Sequence, residues 1–402
     1  MLEKQSQFNV KLNNLQLILK TIINHETLSR ADLVRLTHIS KPTVSNLIED
    51  LLGQDLVLEI GQGHSRTGRK PILIKFNSTL KYFLVFTIGR EDFHVAVSDL
   101  KGNIQESYTG AFKHLQNHHD RLLLLYAHMQ ELLEKIKITS KDLLKIHGAA
   151  PGVYVEPGKA LKWSDHGFPE EQNMQAFLEQ AFNTPVLLNH SSKISLFGEK
   201  IAGRARDISH AVYIDFGYGL GSAFMFNDQI YFGANKSAGE IGYVYSELKE
   251  FNSYCLKPYG WGALETIISG KALQKKGIEV AEKQKDTLIL KLANKDKKRI
   301  TAKTVFDAAE KGDPHAYYIL KEAFKYFNMW LCNIINMLNP QRIIIGGGIS
   351  NAGDFLLSFV ENEIKDKVLI MPELAISDLK DKAAVIGAIA YLIEHTDFFT
   401  EL

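Results

Sequence analysis

One pattern limits what this chain can fold into: three short strands, with a tight turn before the third, occur twice and far apart. The first copy reads as strands at Tyr82–Thr87 and Phe93–Asp99, a Lys101-Gly102-Asn103 turn and a third strand from Ile104. The second reads as His210–Asp215, Gly221–Phe226, an Asn227-Asp228 turn and Gln229–Phe232. Apolar runs punctuated by Gly, Asn and Asp are what strands and their turns require. Helical and further strand segments follow each triple. Identity between the copies is slight, so the repeat is one of architecture. It predicts an α/β chain with two lobes and a cleft between them.

Ahead of the first copy lies a stretch of a different kind, Ser29–Asn46, SRADLVRLTHISKPTVSN. Ser29 is a good N-cap, with Asp32 three positions on. Leu33, Val34 and Leu36 give an apolar face at helical spacing. Thr37-His38-Ile39 is a short turn, and a second helix opens at Ser40 with Pro42 in its first turn. Val44, Leu47, Ile48, Leu51 and Leu52 form its buried stripe, which leaves Thr43, Ser45 and Asn46 pointing outward. Such a pair is the helix-turn-helix layout, and the alternative is an ordinary helical pair packed in a core. Val57–Ile60 and Pro71–Phe76 then read as a hairpin wing around a Gly61–Gly68 loop, with Arg66, Arg69 and Lys70 at its tip. No Asp or Glu occurs between Leu33 and Ile48, nor from Gly61 through Arg90. A surface that faces phosphates is expected to be free of acids. Segment 1–76 holds 10 Lys and Arg against 7 Asp and Glu, a modest excess, so DNA binding is expected to lean on dimerisation. Ser40, Lys41, Thr43, Ser45 and Asn46 are the candidate base-reading residues. Arg66, Arg69 and Lys70 are candidates for backbone or minor-groove contact, with a solvated turn as the other reading.

The whole-chain numbers fit a cytoplasmic regulator or enzyme. The 402 residues suggest two or three domains, and 45% hydrophobic content builds a core. A net charge of +1 excludes a generally polycationic or polyanionic role. Two cysteines, Cys255 and Cys332, make no disulfide framework and suggest a reducing compartment. There is no signal-peptide core. The longest apolar run, Ala383–Ile393, is too short to span a bilayer and reads as a buried helix. His114, His118 and His119 lie on a Leu-rich amphipathic helix and read as a solvated face rather than a metal site.

Four marks then follow in order: Gly217-Tyr218-Gly219-Leu220-Gly221, Ser237-Ala238-Gly239-Glu240-Ile241-Gly242, Leu264-Glu265, and Asn339-Pro340 leading to Gly346-Gly347-Gly348. On these marks the chain resembles the ROK family of repressors and sugar kinases, in the repressor form with an N-terminal winged helix. The resemblance implies a winged helix-turn-helix over 1–78 and a two-lobed actin/hexokinase-like (ribonuclease H-like) domain. Lobe 1 would cover 79–190 with the C-terminal helix 386–402, and lobe 2 would cover 191–385.

The departures from the family pattern carry as much as the matches. Family kinases have Asp-x-Gly at the first hairpin, where this chain has Thr87-Ile88-Gly89, and an Asn-Asp pair where it has Asn189-His190. Asp215-Phe216-Gly217 belongs to the second hairpin and does not replace the first by position. Phosphoryl transfer needs positioning, metal and base together, so the chain is expected not to be an enzyme and not to bind ATP. The family's zinc cluster of one His and three Cys is reduced to Tyr243 and Cys255, so no zinc is expected. Tyr243, Tyr254, Tyr259 and Trp261 would hold that loop by aromatic packing instead. By resemblance, Gly152, Asn189, His190, Glu240, Tyr243 and Glu265 are the sugar-contacting positions. The expected protein is a sugar-responsive transcriptional regulator, most simply a repressor. It would bind operator DNA as a homodimer or homotetramer, with an unphosphorylated sugar in the cleft and no membrane association. The alternatives are a ROK sugar kinase that also binds DNA, and a regulator controlled by a protein partner.

Overall fold

The computed structural model describes residues 2–62, 70–89, 91–112, 115, 117–152, 174–245 and 262–397, with side chains from Val10 onward. The chain divides into two compact units. One comprises Met1–Tyr82 with Ser98–Gln105, the other Phe83–Val97 with Glu106–Leu402.

The first unit is built on three helices: α1 (Leu2–Ile23), α2 (Arg30–Thr37) and α3 (Lys41–Gly53). Ser29 caps α2 in a reciprocal box: its Oγ accepts from the Asp32 N–H at 3.2 Å, and its own N–H donates to Asp32 Oδ2 at 3.1 Å. Two of the four orphan donors of the first turn are thereby satisfied. His38, in the left-handed region at φ 57°, closes α2. Ser40 then opens α3 with Pro42 in the first turn. Leu33, Val44, Leu47, Ile48 and Leu51 pack into one core with Leu15, Ile18, Leu19 and Ile22 of α1. At about 1.5–3 kcal/mol for each fully buried side chain, this core is what holds the small unit together. Leu36, read from the sequence as part of the apolar face, is 43% exposed. The helix has only eight residues, and Leu33 is the one among them that is fully buried. Three strands complete the unit in the order β1 (Leu28–Ser29), β3 (Ile72–Phe76), β2 (Val57–Gln62), with a register shift between Glu59 and Gln62. Arg30 donates to Glu49 of α3 at 2.7 Å and to Glu59 of β2 at 2.8 Å, tying the helix pair to the hairpin.

The second unit carries the architectural repeat. One five-stranded sheet has the order β6 (Ile104–Ala111), β5 (Asp92–Asp99), β4 (Tyr82–Ile88), β7 (Leu143–Ala150), β8 (Val186–His190). The other has the order β11 (Gln229–Tyr231), β10 (Leu220–Phe226), β9 (Ala211–Phe216), β12 (Arg342–Gly346), β13 (Glu373–Ile376). Strand for strand the orders match. β7 and β8 pair in parallel, as do β12 and β13, while β9, β10 and β11 form an antiparallel meander. Helix Ala383–His395 packs against β7 and against helix Ser191–Ala202. Those two helices touch backbone to backbone. A Cβ on Gly198 would lie 2.1 Å from the Ala383 carbonyl oxygen, and one on Gly387 would lie 1.9 Å from the Ile194 oxygen.

Candidate ligand-binding site

A cavity of about 590 Å³ lies within the second unit and is lined from both sheets. Its size suits a small organic ligand. The first sheet brings the Thr87–Gly89 turn at the end of β4, Gly152 after β7, and His190 at the end of β8. The second brings Asp215 of β9 and the Gly217–Gly221 turn, joined by Glu240, Tyr243 and Glu265. Five of the six sequence-predicted sugar positions are therefore gathered in one place: Gly152, His190, Glu240, Tyr243 and Glu265.

Asn189 is the exception and is not among the residues that line the cavity. Successive strand residues point to opposite faces, so with His190 turned into the cavity Asn189 turns away from it. It is buried, with its Nδ2 3.1 Å from His147 Nε2, while His147 Nδ1 lies 3.0 Å from the Ala388 carbonyl oxygen of helix Ala383–His395. The carbonyl can only accept, so Nδ1 of His147 carries the proton and Nε2 accepts from the Asn189 amide. Burial pushes the His147 pKa down to about 4. Asn189 thus completes a buried network between β7, β8 and the C-terminal helix.

His190 ends β8 and caps helix Ser191–Ala202, its Nδ1 accepting from the Ser192 N–H at 3.2 Å. That bond leaves the ring proton on Nε2, which faces Glu240 Oε1 at 3.7 Å. Burial, with nearby Lys193, drives the His190 pKa down to about 3, so the ring is neutral. Glu240 is also approached by Lys193 Nζ, 3.8 Å from the same Oε1. Burial raises the Glu240 pKa to about 7, with Lys193 opposing the rise and Glu265 adding to it. Glu265 accepts from the Leu220 N–H at 2.9 Å. A Cβ on Gly219 would come within 2.5 Å of the same Glu265 oxygen, so the turn requires glycine there. Asp215 accepts from the Ser192 hydroxyl at 3.4 Å, and burial raises its pKa to about 6.

Sequence reasoning missed Ser192 and Lys193 and gave Asp215 no place in the cleft. The available signal was the Ser-Ser-Lys run at the strand-to-helix junction. Tyr243 offers a phenol where the resemblance calls for an imidazole, which is a poor donor for structural zinc. Among the described residues no group of three His, Cys, Asp or Glu is placed to hold a metal ion. Cys255, Tyr254, Tyr259, Trp261 and His114 lie outside the described residues; His118 and His119 open helix His118–Lys135.

In the first unit, Ser40, Lys41 and Asn46 are exposed along one end of α3, while Thr43 and Ser45 are half-buried. The Ser40 and Thr43 hydroxyls share a hydrogen bond of 2.8 Å. Lys70 is exposed just before β3; Arg66 and Arg69 lie outside the described residues. Among the described residues no helix is long and apolar enough to cross a membrane.

Two sheets of one strand order around a polar cavity define the two-lobed α/β class shared by actin and hexokinase. Within that class the chain belongs to the ROK family, whose model matches residues 84–395. It is 27% identical to a putative xylose repressor of Caldicellulosiruptor sp. (strain Rt8B.4), over 96% of each chain. It is 23% identical to the DNA-binding transcriptional dual regulator NagC of Escherichia coli (strain K12), over 90% of this chain and 86% of the other. Among solved structures, a ROK family transcriptional regulator, a homologue of the E. coli MLC protein, superposes with a TM-score of 0.74 at 20% identity over 96% of each chain. A ROK family glucokinase from Streptomyces griseus, in complex with glucose and AMPPNP, gives 0.65 at 20% identity, with 77% of this chain covering 98% of the kinase.

Proposed function

We infer that this protein is a sugar-responsive transcriptional repressor. The observation that carries the reading is a cavity whose polar groups suit vicinal hydroxyls, in a chain that also holds a helix pair whose second helix carries no acid over its first two turns, Lys41 to Ile48. Glu240, Glu265 and Asp215 accept hydrogen bonds, and His190 Nε2–H donates one. Such a set rewards a ligand that fills every partner and penalises one that leaves a buried group unpaired. Similarity to regulators along nearly the whole chain supports the same reading.

The geometry argues against phosphoryl transfer. At the first hairpin Thr87 supplies no carboxylate for a metal. His190 cannot serve as the base that takes a hydroxyl proton: its one free acceptor is occupied by the Ser192 N–H, and its other nitrogen already carries a proton. The proposed domain division is a winged helix at 1–78 ahead of the two lobes. Ser40, Lys41, Thr43, Ser45 and Asn46 would meet the major groove, and Lys70, with Arg66 and Arg69, the backbone or minor groove. Sugar binding acts as a switch by favouring one of two lobe arrangements that differ in operator affinity.

A thermal-shift screen against free and phosphorylated sugars, with and without magnesium ATP, tests this. A ligand at one hundred times its Kd adds about 2.7 kcal/mol of stability. One free sugar is expected to shift the transition and ATP to leave it unmoved, with the sugar shift lost in Glu240→Gln. Sugar-dependent release of ADP would establish a kinase instead.

A further inference from the structure

Lys193 is 1% exposed, and among the described residues its Nζ has no hydrogen-bond partner. An ammonium taken out of water without partners is costly. Its neighbour of opposite charge is Glu240, at 3.8 Å, which is too long for a hydrogen bond but well within electrostatic range. Lys193 rises from the first turn of helix Ser191–Ala202, directly behind His190, and is not among the groups lining the cavity. It therefore acts on the ligand site through its neighbours there, pairing with Glu240 and helping to keep His190 neutral. The titratable groups facing Glu240 are Lys193 and His190 from one side, and Glu265 with Tyr243 from the other. His190 is neutral and Glu265 repels. Lys193 is the one cation among the described residues set to keep Glu240 ionised.

We propose that Lys193 is a positioning residue that holds Glu240 as a carboxylate in the floor of the cavity, and so sets the pH range over which the cavity takes a polyhydroxylated effector. An ionised Glu240 accepts from two hydroxyls; a protonated one spends an oxygen as a donor and leaves one hydroxyl unmatched. The inference rests on the sugar reading only in its last clause, since the charge pair exists without ligand.

The test is a double-mutant cycle by urea unfolding on the full chain, with wild type, Lys193→Met, Glu240→Gln and the double variant. At about pH 8.5 the two single variants together are expected to lower the folding equilibrium constant about tenfold or more beyond the double variant, because each strands a buried charge. At about pH 5 Glu240 is protonated and the coupling falls to within about twofold. A coupling that is equal at both pH values, or absent from both, overturns the proposal. Should Lys193→Met fail to fold, Glu240→Gln alone decides. Without its counter-ion Lys193 favours its neutral form, so this variant gains stability relative to wild type between about pH 8 and 10; a flat difference overturns the assignment.

Calorimetric titration with D-xylose, D-glucose and N-acetyl-D-glucosamine tests the last clause. Lys193→Met should bind the effector about tenfold more weakly at neutral pH and recover as pH rises and Glu240 ionises, whereas a purely structural role leaves the loss constant with pH. Wild-type protein that binds none of the three refutes that clause and counts against the sugar reading, while the stability coupling still decides the ion pair.

Discussion

His190 has one ring nitrogen occupied by a backbone N–H, while the other, protonated, faces Glu240 at 3.7 Å, beyond hydrogen-bond distance, and is left to donate to a ligand. A neutral donor among carboxylates is what a ligand hydroxyl needs opposite it. The same burial gives the molecule a pH signature. Glu240 and Asp215 have folded pKa values of about 7 and about 6, above their ordinary 4.5 and 3.8, so their charged forms are penalised on folding. Their contribution is present at low pH and is lost as pH rises through about 6 to 7. His190 and His147 fall from 6.5 to about 3 and about 4, so theirs is present above 6.5 and lost as pH falls. The two pairs oppose each other, and together these four groups favour folding most between about pH 6 and 7. Asp215→Asn should gain stability relative to wild type as pH rises from about 4 to 6, by roughly 1–3 kcal/mol, with the difference constant above about pH 7. A difference that does not change between pH 4 and 6 would count against a buried Asp215 charge. His190, Glu240 and Glu265 came into view in the sequence only through the resemblance to the ROK family, which assigns sugar contacts to their positions. Lys193 did not, since a lysine in a helical run looks like a solvated one until the fold buries it.

At the scale of single elements, β8 decides which side chains see the ligand. Its register turns His190 inward and sends Asn189 to the C-terminal helix, a one-residue difference that swaps the two faces. Replacing Asn189 with Ala leaves His147 Nε2 buried and unpaired. We expect a loss of about 1–3 kcal/mol in urea unfolding with effector affinity within about twofold of wild type; a sugar-binding defect without a stability defect would restore Asn189 to the cavity. Strand and helix types were largely legible, because alternating apolar residues and Gly, Asn and Asp turns signal them locally. What could not be read was which face of β8 meets which layer, since that depends on a helix some 200 positions further along the chain. The Ser29 cap was legible because its donor and acceptor sit three residues apart. The exposure of Leu36 was not, because it reflects how little core an eight-residue helix can cover.

For the whole molecule, near-neutral total charge means that DNA affinity depends on a few placed cations rather than on a general field. Lys70, exposed just before β3, is one of them. Lys70→Ala should weaken binding to all duplexes alike and lower the slope of log affinity against log salt by about 1. A loss confined to one base position would instead mark Lys70 as a reader of sequence. The proposed switch couples DNA binding by this unit to ligand binding in the cavity of the other. The most direct measurement is fluorescence anisotropy of the full chain on a duplex selected from a random pool, titrated with D-xylose, D-glucose and N-acetyl-D-glucosamine at fixed salt. The prediction is that one of these sugars changes the DNA Kd about tenfold or more in the wild type and leaves it unchanged in Glu240→Gln. A wild-type Kd that is the same in all three sugars and in buffer would contradict it.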